Sequence, residues 1–138
     1  MFDETTEFGS RVARHLREEH VVWLTTVTPS GAPLPRPVGF LWDGEQIVSV
    51  YSQPGARIRN VSSNPKVTLN FGGDGRGGDI VILSGTAEIA AAAPSAAENP
   101  AWVAKYSDDW KLGGMTAESF AERFSVPLRI RICGVNGR

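Results

Sequence analysis

Little in this sequence lends itself to covalent or metal chemistry. One cysteine, Cys133, stands among 138 residues, which excludes an internal disulfide framework and any multi-cysteine zinc site. The two histidines, His15 and His20, both lie in or just after the first amphipathic segment. A metal site or a nucleophilic triad needs partners converging from several elements, and the spacing offers none. The histidines therefore read as surface or helix-end residues, and Cys133 as a small buried hydrophobe at the end of the last strand. Neither GxxxxGK nor GxSxG occurs, so phosphate-loop and hydrolase-elbow chemistry are excluded. No apolar run approaches the roughly 20 residues of a membrane span. The opening MFDETTEF is acidic where a signal peptide is basic and then apolar. The expectation is a cytoplasmic protein with no membrane partner. Fourteen basic against fifteen acidic residues leave a net charge of −1, too balanced for a general nucleic-acid binder.

What is present suits one domain over residues 1–138, long enough to bury its own core at 41% hydrophobic and 21% charged residues. Phe8, Val12 and Leu16 recur every four residues and predict an amphipathic helix. Val21 to Thr28 is rich in β-branched residues and predicts a strand, followed by a turn at Thr28-Pro29-Ser30-Gly31-Ala32-Pro33. Leu34 to Trp42 is one extended segment, marked by Pro35 and Pro37 as an edge or bulged strand. Asp43-Gly44 predicts a two-residue primed turn into Gln46 to Tyr51. A short helix is expected over Ala56 to Ser63, then strands over Lys66 to Phe71 and Asp79 to Ile89. The run Ile80 to Leu83 is consistent with a face buried on both sides. Helical stretches follow around Pro100 to Tyr106 and Thr116 to Phe124, and Leu128 to Ile132 alternates as a last strand. That makes about six strands without βα alternation: a mainly β, antiparallel barrel with peripheral helices. Gly73 to Gly78 fits GxGxxG, but a strand follows where a dinucleotide site needs a helix, so it reads as a hairpin loop.

One feature stands out electrostatically. From Gln46 to Gly73 there is no acidic residue, while Arg57, Arg59 and Lys66 all fall there. Arg57 and Arg59 follow Ser52-Gln53-Pro54-Gly55, a loop entering the short helix. Helix N-termini and arginine forks suit phosphate or carboxylate groups; a plain solvated face has the same composition.

Taken in order, VVWLTTVTPSGAPLPRPVGFLWDGEQIVSVYS, PGARIRN, NPKVTLNF and SGTAEI resemble the pyridoxamine-phosphate-oxidase-like split-barrel family. More narrowly they resemble its actinobacterial branch of deazaflavin (coenzyme F420)-dependent oxidoreductases. The likeness covers Val21 to Ile89, and more loosely the closing FSVPLRIRI. It implies a six-stranded split barrel that forms a homodimer, with two cofactors in grooves between the protomers. Carried over by position, Arg36 to Phe40 would run along the ring, with Pro37 and Val38 backing it. Ser49, Val50 and Tyr51, on the neighbouring strand, would line the polyol. The basic phosphate-binding position falls on Arg57, with Arg59 and Asn60 completing the cradle. Gly55 and Ala56 depart from the hydroxyl and second basic residue that many relatives carry just before it.

The activity so implied is hydride transfer between F420 and a small-molecule substrate. Tyr51, Ser49 or solvent stand as candidate proton donors. Trp102, Tyr106 and Trp110 pack helices or a dimer contact, or wall the substrate pocket. An FMN-dependent oxidase of the pyridoxamine-phosphate kind is the alternative, although those enzymes grip the substrate phosphate with C-terminal arginine and histidine residues, and this chain, ending RIRICGVNGR, has no histidine after His20. A haem-binding relative lacks its ligand for the same reason. A non-catalytic F420 or flavin carrier is the reading from outside enzymology.

Overall fold

The computed structural model describes residues 1–138. Thr6 opens the first helix, α1 (Glu7–Glu18), by accepting the Gly9 N–H on its side chain, and Val12, Ala13 and Leu16 form its buried stripe. Seven strands follow: β1 (Val22–Val27), β2 (Pro33–Val38), β3 (Leu41–Trp42), β4 (Ile47–Ser52), β5 (Lys66–Asn70), β6 (Val81–Ile89) and β7 (Val126–Gly137). All pairings are antiparallel, in the order β2-β1-β5-β6-β7-β4-β3.

The count is seven rather than six because the segment Leu34 to Trp42 is not one strand. It breaks at Gly39-Phe40, sending β2 to one edge of the sheet and β3 to the other. Two residues span at most about 10 Å with their flanking bonds, so edges joined by them must meet. The sheet therefore curls into a half-barrel. Its inward residues, among them Leu24, Val48, Leu69, Leu83, Leu128 and Ile130, pack with Phe40 and Phe71 in a single core. Pro33, Pro35 and Pro37 sit on the β2 edge, where a missing N–H breaks no ladder.

Phe40 is fully buried, and its peptide N–H and C=O have no strand partner at this seam. Two side chains of α3 (Pro100–Leu112) take over. Tyr106 Oη accepts the Phe40 N–H at 2.6 Å and lies 2.9 Å from the carbonyl oxygens of both Phe40 and His20. Lys105 Nζ donates to the Phe40 carbonyl at 2.9 Å, 3.7 Å from the centre of the Phe40 ring. Gly39 permits the approach: a Cβ there would stand 3.1 Å from the Tyr106 hydroxyl.

Several local expectations are corrected. Asp43-Gly44 does not form a two-residue turn; Trp42 pairs with Val48, and the Asp43 carboxylate accepts the N–H groups of Glu45 and Ile47 to close a wider loop. Cys133 is exposed because it continues the outward row of Arg129 and Arg131, and a bulge that pairs Gly85 with Ile132 and Ser84 with Gly134 leaves it as the extra residue. Gly85 is needed there, since a Cβ would meet the Arg131 carbonyl oxygen at 2.5 Å. In the single chain Ile82 is 39% exposed, in a row with Asn70 and the 42% exposed Trp23. His15 is buried, stacked on Phe71, with Nε2 on Asp79 at 2.9 Å and Nδ1 on Glu19 at 3.3 Å. The hydrogen bond from His15 first, then that from Arg11, holds the Asp79 carboxyl below the usual range. The helix begun at Pro100 runs past Tyr106 to Leu112, started by Asn99, which accepts the Trp102 N–H. Gly73 to Gly78 lies in the loop between β5 and β6.

Two consequences are measurable. Tyr106→Phe leaves the buried Phe40 N–H without an acceptor and lowers unfolding free energy by about 1–3 kcal/mol in urea titrations; an unchanged midpoint contradicts the seam's dependence on this hydroxyl. Burial pushes the Lys105 ammonium down to about 8, against the pull of Asp109 and Glu19, from an ordinary 10.5. Between those two values the unfolded chain binds the proton that the folded chain has released, so stability rises with pH across that window. Stability curves of Lys105→Met should be flatter there, and an unaltered slope would refute the assignment.

Candidate functional site

The α3 helix reaches the seam with one face: Trp102, Tyr106 and Trp110, spaced four apart, are all buried. They meet Tyr51 from β4 and Phe120 from α4 (Ala117–Arg123). Tyr51 and Trp102 pack edge to face at 4.7 Å, Trp110 and Phe120 lie 5.0 Å apart, and Phe120 stacks on Phe124 at 4.5 Å. Between this aromatic layer and the end of β2, at Pro37, Val38 and Gly39, opens a cavity of about 540 Å³. That size is typical of small-molecule sites. The three α3 aromatics thus pack helices and wall the cavity at once. The indole Nε1 of Trp102 is the one buried side-chain polar atom left without a partner.

Charged side chains line the cavity as well. The helix α2 (Ala56–Ser63) starts after Gly55 with no side-chain cap, so the N–H groups of its first turn are unsatisfied. Arg57, in that turn, lines the cavity half-buried and donates from Nη1 to Ser52 Oγ at 2.8 Å. It forms no ion pair, and neither do Arg36 and Arg123. Burial, and then repulsion from Arg36, lowers the Arg57 pKa. Arg123, at the end of α4, lines the same cavity. The only acid there is Asp109, and it faces His20, with Nδ1 and Oδ2 2.5 Å apart. A half-buried guanidinium without a counter-charge, beside free helix N–H groups, is an arrangement that an anion completes.

Of the residues expected from sequence, Pro37, Val38, Tyr51 and Arg57 converge on this cavity, with Arg36 beside Arg57. Ser49 and Val50 lie beyond Tyr51, around a separate space of about 350 Å³ bounded by Pro94, Asn99 and Arg129. The Val50 side chain belongs to the core. Their strand, β4, pairs with β3 and β7 and not with β2, which corrects the expected adjacency; the curl alone brings the two together. Arg59 is exposed, two residues from Arg57 and so off its helical face. Asn60 is buried and donates to Thr26 Oγ1 at 3.0 Å, pinning α2 to β1. The Tyr51 hydroxyl donates to the Pro94 carbonyl at 2.8 Å and accepts from Asn99.

Sequence reasoning missed Arg123, Asp109 and the cavity role of His20. The four-residue spacing of Phe120 and Phe124 was a signal for the far wall. No pattern in the chain pointed to His20 and Asp109 as partners.

Comparison with known proteins gives the chain's relationships. The family model described as pyridoxamine 5'-phosphate oxidase matches residues 8–124. No curated protein matches. Among solved structures, an FAD-binding protein of Mesorhizobium loti is 24% identical, with TM-score 0.62 over 91% of this chain and 90% of its own. A protein described as an F420 reductase is 20% identical, with TM-score 0.63 over 91% and 96%. The haem storage protein HutZ of Vibrio cholerae is 14% identical, with TM-score 0.61 over 96% and 95%. These likenesses concern the fold; the ligands named belong to those proteins.

Proposed function

The chain belongs to the pyridoxamine 5'-phosphate oxidase family, and on that premise we propose an oxidoreductase of its deazaflavin-dependent, actinobacterial-type branch. It uses coenzyme F420 to reduce a small, electron-poor organic molecule. One observation carries this reading: Arg57, half-buried and without an acid, stands at the uncapped start of α2 and lines an aromatic-walled cavity. The free N–H groups and the guanidinium suit a phosphate, and the cavity beside Pro37 and Val38 suits a flat tricyclic ring. Arg36 and Arg123 add two more cations that no acid neutralises. Three such charges favour a phosphodiester followed by carboxylates, as in F420, over the single phosphate of FMN.

When bound, the reduced cofactor supplies a hydride from C5. The chain's share is to hold ring and substrate in contact, to keep water out with its aromatic wall, and to stabilise negative charge as it develops. A homodimer belongs to the same reading. Trp23 and Ile82 stand exposed in one row on the outer face of the sheet, where a second copy would cover them.

Paired fluorescence titrations with F420 and with FMN test the cofactor. F420 should bind with strong salt dependence and at least about tenfold more tightly than FMN, and Arg57→Ala should weaken it by a similar factor. Preference for FMN moves the protein to the flavin oxidases, and tight F420 binding without substrate-dependent turnover makes it a carrier. Binding of neither removes the reading. Sedimentation should give a dimer that Trp23→Glu with Ile82→Glu splits; a monomeric wild type refutes the dimer.

A further inference from the structure

Reduction of an organic substrate needs a proton as well as a hydride, and the cavity narrows the source. Its ionisable lining residues are His20, Tyr51, Arg57, Tyr106, Asp109 and Arg123. The Tyr51 hydroxyl donates to Pro94. The Tyr106 hydroxyl is held at the Phe40 seam, and burial raises its pKa well above the ordinary value. The two guanidiniums keep their protons near neutrality.

His20 and Asp109 remain. The His20 residue is fixed from backbone to ring: its carbonyl lies 2.9 Å from the Tyr106 hydroxyl, its ring meets the Tyr106 ring edge-on at 5.5 Å, and Nδ1 faces the Asp109 carboxylate. Nδ1 lies 2.5 Å from the Asp109 Oδ2, Nε2 has no protein partner, and the residue lines the cavity. Asp109 also lies one turn along α3 from the Lys105 ammonium, and Glu19 is the other acid acting there.

We propose that His20 is the proton donor of this site, and that Asp109 is the positioning residue that holds its imidazole with Nδ1 protonated and Nε2 directed to the substrate. The inference rests on the reductase reading. A substrate that has accepted a hydride carries an electron pair as a carbanion or enolate. A new C–H or O–H bond forms to it as the Nε2–H bond of the imidazolium breaks, and that bond's electron pair stays on nitrogen. The substrate gains two electrons and two hydrogens in all, the reduced deazaflavin gives up the hydride, and Nε2 regains its proton from water. Asp109 stays ionised throughout and stabilises the imidazolium.

Both side chains are 47% exposed, where an ion pair adds little to stability, so H20Q and D109N fold. The decisive readout uses the cofactor-free protein. Long-range ¹H–¹⁵N spectra of neutral His20 should show the Nδ1–H tautomer in the wild type, and in D109N the Nε2–H form that free histidine prefers. With cyclohex-2-enone as the probe substrate and reduced F420, H20Q and D109N should lower kcat about 100-fold or more, cofactor affinity staying within about twofold. Added imidazole should restore turnover to H20A. A wild-type Nε2–H tautomer overturns the proposal, as does wild-type kcat in H20Q with cofactor bound. Failure of the wild type to bind F420 or FMN overturns the reductase reading instead, and the tautomer spectrum separates the two cases.

Discussion

The hydroxyl of Tyr106 stands where the two edges of the sheet meet. A chain that passes from one edge strand to the other in two residues must bury a peptide that neither ladder can pair. An unpaired buried N–H or C=O costs about as much as a lost hydrogen bond, and a seam of this kind forms only if something outside the sheet supplies the partners. Tyr106 and Lys105 supply them to Phe40, and Gly39 leaves the room. Holding that contact fixes α3 in place. The helix then presents Trp102 and Trp110 to the cavity and Asp109 to His20. Closure of the barrel and construction of the site are one event.

Charge is distributed with equal consequence. Two arginines away from the cavity find acids: Arg11 lies on Asp79 at 3.0 Å and Arg17 on Glu4 at 3.0 Å. At the cavity, Arg57 and Arg123 have none, and Arg57 is held partly out of water beside the like charge of Arg36. Such an arrangement works against stability by itself, and the surroundings restrain it: Ser52 accepts from Arg57, and the Asn60–Thr26 bond anchors its helix. Local instability set inside a rigid frame is the usual signature of a site built for a ligand of opposite charge.

Much of this was legible in the chain. Alternation of apolar residues marked the strands, the spacing of Phe8, Val12 and Leu16 marked α1, and α2 falls over Ala56 to Ser63 as its composition predicts. The acid-free stretch around Arg57 pointed to a half-buried cation that the structure leaves without an ion pair. What misled were positions whose surroundings come from elsewhere in the chain. His15 looks like a surface residue until Asp79, 64 residues away, closes over it.

Period and propensity act over a few residues, so the sequence by itself determined the strands, the first helix, the antiparallel class and the location of the uncompensated positive charge. Curling of the sheet is a property of all seven strands together, and no local window contains it. Only the tertiary structure decided that Leu34 to Trp42 divides between opposite edges, that Arg59 turns away from Arg57, and that His20 meets Asp109 across 89 residues. Each of those depends on which edge meets which, a choice settled by satisfying the buried peptide at Phe40.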